Sequence, residues 1–330
     1  MRRALALVSA CLLGGCGRYA EFRLPDPGAP EEGEWRWSAR AAPVLGRGPE
    51  SWDSVDALNP SVIWREGTWL NLYSGFDGRT WRTLLAESAD GEVWVKKGMV
   101  LSPDPGSWEG GYIAANGAAL VRGGTIWYWY QAGAPPRLGL ARSADGGRTW
   151  RKEPKPVLEL GPRGASDERA TADPYVIEAG GRLFLYYLGE DRARRQRLGA
   201  AVSDDGLTWN KLRGNPVLEL GIDGAFDENG LGEPAVWLSH GWWWMLYTGR
   251  DRKEVRRLGL ARSRDGIHWE RTGSATAGAE TWNSRVLCDA TVAPDREKIR
   301  VWFGGGDTAH PAENIRGQIG YGELRWDPRR

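Results

Sequence analysis

One turn phrase returns along this chain at a nearly constant interval, and that recurrence limits the fold more than any other feature. It reads Ser88-Ala89-Asp90-Gly91, Ser143-Ala144-Asp145-Gly146, Ser203-Asp204-Asp205-Gly206 and Ser263-Arg264-Asp265-Gly266. A short alternating segment precedes each copy, and a tryptophan follows: Trp94, Trp150, Trp209 and Trp269. Asp-Gly between two short strands is a strong hairpin signal, because glycine supplies the positive φ the turn needs. The glycines at 91, 146, 206 and 266 put the period at 55 to 60 residues. That length is one supersecondary unit of a repeat architecture.

A second phrase shares the period. An aromatic residue and an acid or amide open it, and a polar residue closes it seven or eight positions later. Trp52-Asp53 leads to Asn59, Trp108-Glu109 to Asn116, Phe226-Asp227 to Glu233, and Trp282-Asn283 to Asp289. In the third copy Ser166 replaces the aromatic and Asp167 leads to Asp173. Each closing residue begins an apolar strand, and a second strand follows after a tight turn. Five copies of the first strand predict an all-β, five-bladed β-propeller with four-stranded antiparallel blades. The last copy supplies only three strands before the chain stops. Its fourth is found near the start, where Trp37 to Leu45 matches Trp150 to Leu158 and Trp209 to Leu218. The prediction is therefore a last blade closed by an N-terminal strand, in a single domain over 35–330.

In such a blade the first strand lines the channel. Its start shares a face with the blade connections and with the loop between strands two and three. Asn59, Asn116, Asp173, Glu233 and Asp289 are thus expected as a ring at one channel mouth. Connection residues, among them Trp52, Asp53, Asp56, Trp108 and Trp282, are expected around them as ligand contacts. A purely structural position would favour one residue type, whereas these five read Asn, Asn, Asp, Glu, Asp. Converging carboxylates repel, which raises at least one pKa and marks a candidate site. The aspartates after strand two (Asp77, Asp191, Asp251 and Asp307) recur in four copies and read as turn caps. Two basic runs, 192–197 and 250–257, read as solvated loops, as contacts to an anionic ligand, or as neutralisation of the ring.

These residues resemble the five-bladed propeller glycoside hydrolases: arabinanases, xylosidases, invertases and levansucrases. Ala172-Asp173-Pro174-Tyr175-Val176, Tyr247-Thr248-Gly249 and Ser203 to Trp209 carry the likeness, which extends from Trp35 to Trp326. The resemblance implies a glycosidase that uses one protonated and one ionised carboxyl group. It also implies Asp, Asp and Glu on the first strands of blades one to three, where this sequence has Asn59, Asn116 and Asp173. Three alternatives stay open: a site rotated to Asp173, Glu233 and Asp289; substitution by Asp53 or Asp56; or a non-catalytic glycan-binding protein. For an active enzyme the expectation is Glu233 as acid, Asp173 or Asp289 as base or nucleophile, and Asn59 and Asn116 bonding sugar hydroxyls.

The start of the sequence bears on compartment. Arg2 and Arg3 precede an apolar stretch from Ala4 to Leu13, of signal-peptide length. Leu13-Gly14-Gly15-Cys16 resembles the bacterial lipobox, which predicts a signal peptide over 1–15 and acylation of Cys16. Residues 16–34 read as a flexible tether. A lipid bilayer is then one partner, at the bacterial cell envelope on the outer membrane or cell surface, and a carbohydrate the other. With Cys11 removed and Cys16 acylated, Cys288 stands alone, and no disulfide framework forms in the monomer that is expected. A formal net charge of +1 gives no reason to expect nucleic acid. No cofactor is expected; His310 in a late loop is the one residue with a case for a structural ion. Twenty tryptophans against 5 phenylalanines match a repeated core position better than scattered sugar contacts.

Overall fold

The computed structural model describes residues 18–295 and 298–328, so the lipobox with Cys16 and the signal segment lie outside the described residues. The fold is all-β and propeller-type, with two single 3-10 turns, at Ser51–Asp53 and Thr281–Asn283. Two N-terminal strands come first, β1 (Tyr19–Ala20) and β2 (Gly33–Ala39). Antiparallel pairing then groups the strands in fours. The first blade is β3 (Asp56–Arg65), β4 (Thr68–Phe76), β5 (Trp81–Ser88) and β6 (Val95–Leu101). The second is β7 (Ile113–Arg122), β8 (Thr125–Ala132), β9 (Arg137–Ser143) and β10 (Arg151–Lys152). The third is β11 (Ala170–Ala179), β12 (Arg182–Glu190), β13 (Gln196–Ser203) and β14 (Asn210–Leu212). The fourth is β15 (Gly230–Ser239), β16 (Trp242–Arg250), β17 (Arg256–Ser263) and β18 (Glu270–Thr276). In the last, β19 (Val286–Asp295), β20 (Lys298–Gly306) and β21 (Gln318–Pro328) take β2 as a fourth strand, with Trp37 opposite Leu324.

Successive blades pack face to face, so their middle strands are apolar on both sides; β12 (RLFLYYLGE) is buried from Leu183 to Gly189. Separate apolar cores fill the spaces between blades one and two, two and three, three and four, and four and five. A further core joins blade five to blade one through Trp302, Ile319, Tyr321, Tyr73 and Leu84. The turn phrase works in two directions. Within its blade, Ser203 Oγ accepts from Gly206 N at 2.8 Å, and Asp205 Oδ1 accepts from the amides of Leu207 and Thr208. Gly206 holds φ at +72°, and its carbonyl accepts from Trp209 Nε1. The same carbonyl accepts Trp129 Nε1 from the neighbouring blade at 2.9 Å. Tyr186 reaches Gly266 in this way, and Trp302 reaches Gly91 across the junction of the last blade with the first. The fold accounts for the tryptophan that follows each turn phrase: Trp94, Trp150, Trp209 and Trp269 all pack in inter-blade cores.

Residues 18–34 do not form a free tether. β1 pairs in parallel with β14, and Phe22 and Leu24 sit in the core between blades three and four. Trp243 Nε1 donates to Pro25 O at 2.9 Å, and Glu31 N to His240 O at 3.0 Å. Burial of two large apolar side chains outweighs the flexibility that Pro, Gly and Glu lend this segment.

Candidate active site

The five predicted ring residues share one backbone device. Each innermost strand breaks register, between Leu58 and Ser61, Ala115 and Ala118, Ala172 and Tyr175, Gly232 and Ala235, and Cys288 and Thr291. The residue inside each bulge is left-handed, with φ of 49° at Asn59, 48° at Asn116, 46° at Asp173, 49° at Glu233 and 54° at Asp289. A bulge re-aims a side chain at the cost of a ladder bond. Asn and Asp tolerate this conformation better than other non-glycine residues. Backbone demand therefore accounts for four of the five residue types. Glu233 is the exception, held where a long side chain costs on the order of 1–3 kcal/mol.

All five line one cleft of about 260 Å³, together with Gln131, Thr248, Arg250 and Arg256. Beneath them a chamber of about 30 Å³, bounded by the residues that follow each of the five, has room for about one water.

Within the ring the three acids are contiguous and the two amides flank them. Asn116 N donates to Ser74 Oγ at 2.9 Å, and that hydroxyl donates to Asn116 Oδ1 at 3.0 Å. This leaves the Asn116 amide to hydrogen-bond Asp173. On the other side Asn59 N donates to Asp289 Oδ2 at 3.2 Å, and Asp289 N donates to Thr248 Oγ1 at 3.2 Å. Burial, together with the adjacent Glu233 carboxylate, pushes the Asp173 carboxyl up to about 8, against weaker lowering by Asn116 and Arg256. Asp289 is pushed well above the usual carboxylate range by burial and by its charge contact and hydrogen bond with Glu233. Glu233 Oε2 and Asp289 Oδ1 are buried without a donor, a costly state that a proton on Asp289 relieves.

Carboxylate oxygens of Glu233 and Asp289 and the Cys288 sulfur lie within 4.8 Å of one another. Cys288 is fully buried, and its thiol is pushed far up by burial and by both acids, as befits a packed thiol rather than a nucleophile. Arg256, 8% exposed, faces Glu233, Asp289 and Cys288 and supplies positive charge where a cation would otherwise serve. His310 meets the site through its backbone: its carbonyl accepts from Arg256 at 3.0 Å.

The surrounding contacts expected from the connections are elsewhere. Asp53 is fully buried, accepting from Tyr73 OH at 2.9 Å and Lys96 Nζ at 2.5 Å. Asp56 is also fully buried and accepts from Asn314 N at 2.6 Å and Gly317 N at 2.7 Å, anchoring a loop. Trp52 packs against the core between blades five and one. Trp108 packs between blades one and two with the Arg137 guanidinium over its ring, and Trp282 stacks on Phe303. None of these five lines the cleft. The physical reason is that each connection dips under the rim, where in the first four blades its acid meets a tyrosine from strand two and a cation from strand four. Asp167 meets Tyr187 and Lys211, Asp227 meets Tyr247 and Arg271, and Glu109 meets Tyr130 and Lys152. A Cβ on Gly75, Gly189 or Gly249 would stand within 3.0 Å of the acid's own Cβ, which explains the Tyr-x-Gly phrase.

The basic run 250–257 splits in the structure. Arg250 and Arg256 face the ring, whereas Arg257 pairs with Asp251. Asp77, Asp191 and Asp251 cap their turns as expected, accepting backbone amides two to four residues on. Sequence reasoning missed Arg256 and Thr248 as individual site residues. Their only signal was position at the site-facing ends of strands three and two.

Residues 175–288 match the family model of the glycosyl hydrolases family 32 N-terminal domain. Among solved structures, the BT0996 protein of an RGII complex superposes with a TM-score of 0.70 at 20% identity, covering 92% of this protein and 92% of its own length. Zg3597, a family 117 glycoside hydrolase of the marine bacterium Zobellia galactanivorans, gives a TM-score of 0.64 at 18% identity, covering 89% of this protein and 92% of its own length. The uncharacterized protein Rv1502 of Mycobacterium tuberculosis (strain ATCC 25618 / H37Rv) is 27% identical over 170 residues, 48% of this protein. The match spans 56% of that relative's length. In fold throughout, and in sequence from the third blade into the fifth, the protein is similar to the propeller-type glycoside hydrolases.

Proposed function

We propose that this protein is a closed five-bladed propeller acting as a glycosidase on an oligosaccharide or polysaccharide, with its site rotated to blades three, four and five. One observation carries the reading: Asp173, Glu233 and Asp289 converge at the closed end of a cleft, and the two aspartates are held above the usual carboxylate range. Hydrolysis needs a proton donor and an ionised carboxylate, and burial beside another acid suits Asp173 to hold the proton. Asp173 delivers its proton to the glycosidic oxygen as the bond to the anomeric carbon breaks. The Glu233 carboxylate attacks that carbon or takes a proton from the water that does. If Glu233 attacks, water then displaces it and gives one proton back to Asp173. If Glu233 acts as base, the proton it takes returns to Asp173 through solvent. In both cases the water oxygen with its other hydrogen becomes the new sugar hydroxyl. Asp289, hydrogen-bonded to Glu233, positions it. This reverses the allocation expected from side-chain length, which made Glu233 the acid.

The alternative of a non-catalytic glycan-binding protein rests on Asn59 and Asn116. The Asn116 side chain hydrogen-bonds Asp173 and so has a part in the carboxyl cluster, which favours the enzyme; Asn59 meets Asp289 only through its backbone amide. Ring closure is supported by the apolar core between blades five and one and by the Trp302–Gly91 hydrogen bond. Acylation of Cys16 at a bacterial envelope is part of the proposal. Arg18, two residues on, already accepts Lys211 N at 2.9 Å, so the lipid would hold the outer edge of blade three within about 7 Å of its attachment. The test of activity is a screen of plant and bacterial glycans for reducing-end release. Wild type is expected to release sugar, and Glu233→Gln to lose about 10³-fold or more while staying folded. Equal turnover by both sinks the assignment. A Cys16→Ser variant that still fractionates with membranes sinks the anchor.

A further inference from the structure

The loop 307–317 between β20 and β21 is tied down on every side. Asp56 accepts its amides at Asn314 and Gly317, and Ile315 is fully buried among Leu58, Phe76 and Ile113. On one flank the Arg256 guanidinium donates to the carbonyls of His310, Pro311 and Ala312 at 3.0, 3.0 and 3.3 Å, and Arg250 donates to Pro311 at 3.3 Å. On the other flank Tyr112 OH, from the connection into blade two, donates to Glu313 Oε2 at 2.8 Å. The loop thus makes a continuous wall from blade four, past blades five and one, to blade two, and Pro311, Ala312 and Glu313 face the cleft. The floor offers no passage for a glycan either, since the space beneath the ring has room for about one water and not a sugar ring. What remains of the rim is the stretch carrying Gln131, Pro136, Glu190 and Gln196.

Resting on the glycan reading above, we infer that this site takes the end of a glycan and does not accommodate the interior of a polymer. A polysaccharide crossing an active site needs an exit on each side of the reacting bond, and this cleft offers one opening. Tyr112 is 44% exposed at the rim, so its hydrogen bond to Glu313 is a solvent-facing part of the wall.

The experiment measures binding, which is readable with or without turnover, using the Glu233→Gln protein and a panel of linear plant and bacterial oligosaccharides. Each is presented with both ends free and with both ends blocked by chemical caps. Blocking is expected to weaken binding by at least tenfold for every glycan that binds, and wild-type digestion of free oligosaccharides should yield one small product from the first minutes. Equal binding of blocked oligosaccharides, or an early ladder of intermediate sizes, overturns the inference but leaves the glycosidase reading intact. Absence of binding to every glycan in both forms overturns both. The double variant Tyr112→Phe, Glu313→Ala should recover several-fold of the affinity for blocked oligosaccharides; no recovery, in a protein that still binds free ends, removes the loop as the wall.

Discussion

Asp167 and Asp173 are six residues apart in the same repeat, and the protein treats them in opposite ways. Asp167 is buried with a tyrosine hydroxyl at 2.8 Å and a lysine ammonium at 2.5 Å, partners supplied by two other strands of its blade. Asp173 is partly buried at the cleft beside another carboxylate and gains only an amide from Asn116. One position is saturated with donors and the other is starved of them. The first is how a fold satisfies a charge it has buried, and the second is how an acid at a cleft keeps a proton near neutral pH. The last blade acts as an internal control. There Asn283 stands in the acid's place, the tyrosine position holds Phe303 and the cation position holds Ala39, so all three members of the lock are replaced together. Losing one alone would leave a buried charge or hydroxyl without a partner.

The comparison can be broken at several points. Lys211→Met should have the largest effect on stability, about 3–5 kcal/mol in denaturant unfolding, because it strands a buried Asp167 carboxylate. A loss below about 1 kcal/mol would mean that the connection acids are not locks.

Asp173 carries the opposite signature. Its folded pKa of about 8 exceeds the ordinary carboxylate value near 4, so the folded state keeps a proton that the unfolded state releases. Its contribution to stability is therefore greatest below about pH 4 and is lost as pH rises toward about 8. Midpoints measured from pH 4 to 9 should fall more steeply in wild type than in Asp173→Asn, and turnover should decline above about pH 8. Parallel midpoint curves would show that Asp173 ionises normally. Rebuilding the lock in the last blade, with Ala39→Lys, Asn283→Asp and Phe303→Tyr together, should give a favourable coupling of about 1–3 kcal/mol over the sum of the single changes. Strict additivity would deny that the three positions act as a set. Tyr187→Phe, which removes one hydrogen bond to Asp167 and keeps its lysine, should cost about 1 kcal/mol.

The repeat made much of the fold legible in advance. Ser-x-Asp-Gly-x-x-Trp is a local object, in which serine, aspartate and tryptophan bond atoms only a few residues away, so its meaning survives in one dimension. The N-terminal strand was legible for a related reason: Trp37 and Pro43-Val44-Leu45 match the strands whose position they take. Residues 18–34 were misread because Phe22 and Leu24 look isolated among Pro, Gly and Glu. Their partners, Phe184 and Val236, are far away in sequence.

The site divides along the same line. Sequence alone determined that five polar residues open five equivalent strands, because strand order and period fix which strand ends share a face. It could not say which acids were partnered, since the donors to Asp53 and Asp167 come from strands some 20 and 44 residues away. Nor could it say that Trp52, Trp108 and Trp282 turn under the rim, or that Arg256 stands beside Glu233. Only the tertiary structure decided those matters, because the ionisation of a buried carboxylate depends on what surrounds it in space, and distance along the sequence carries little of that information.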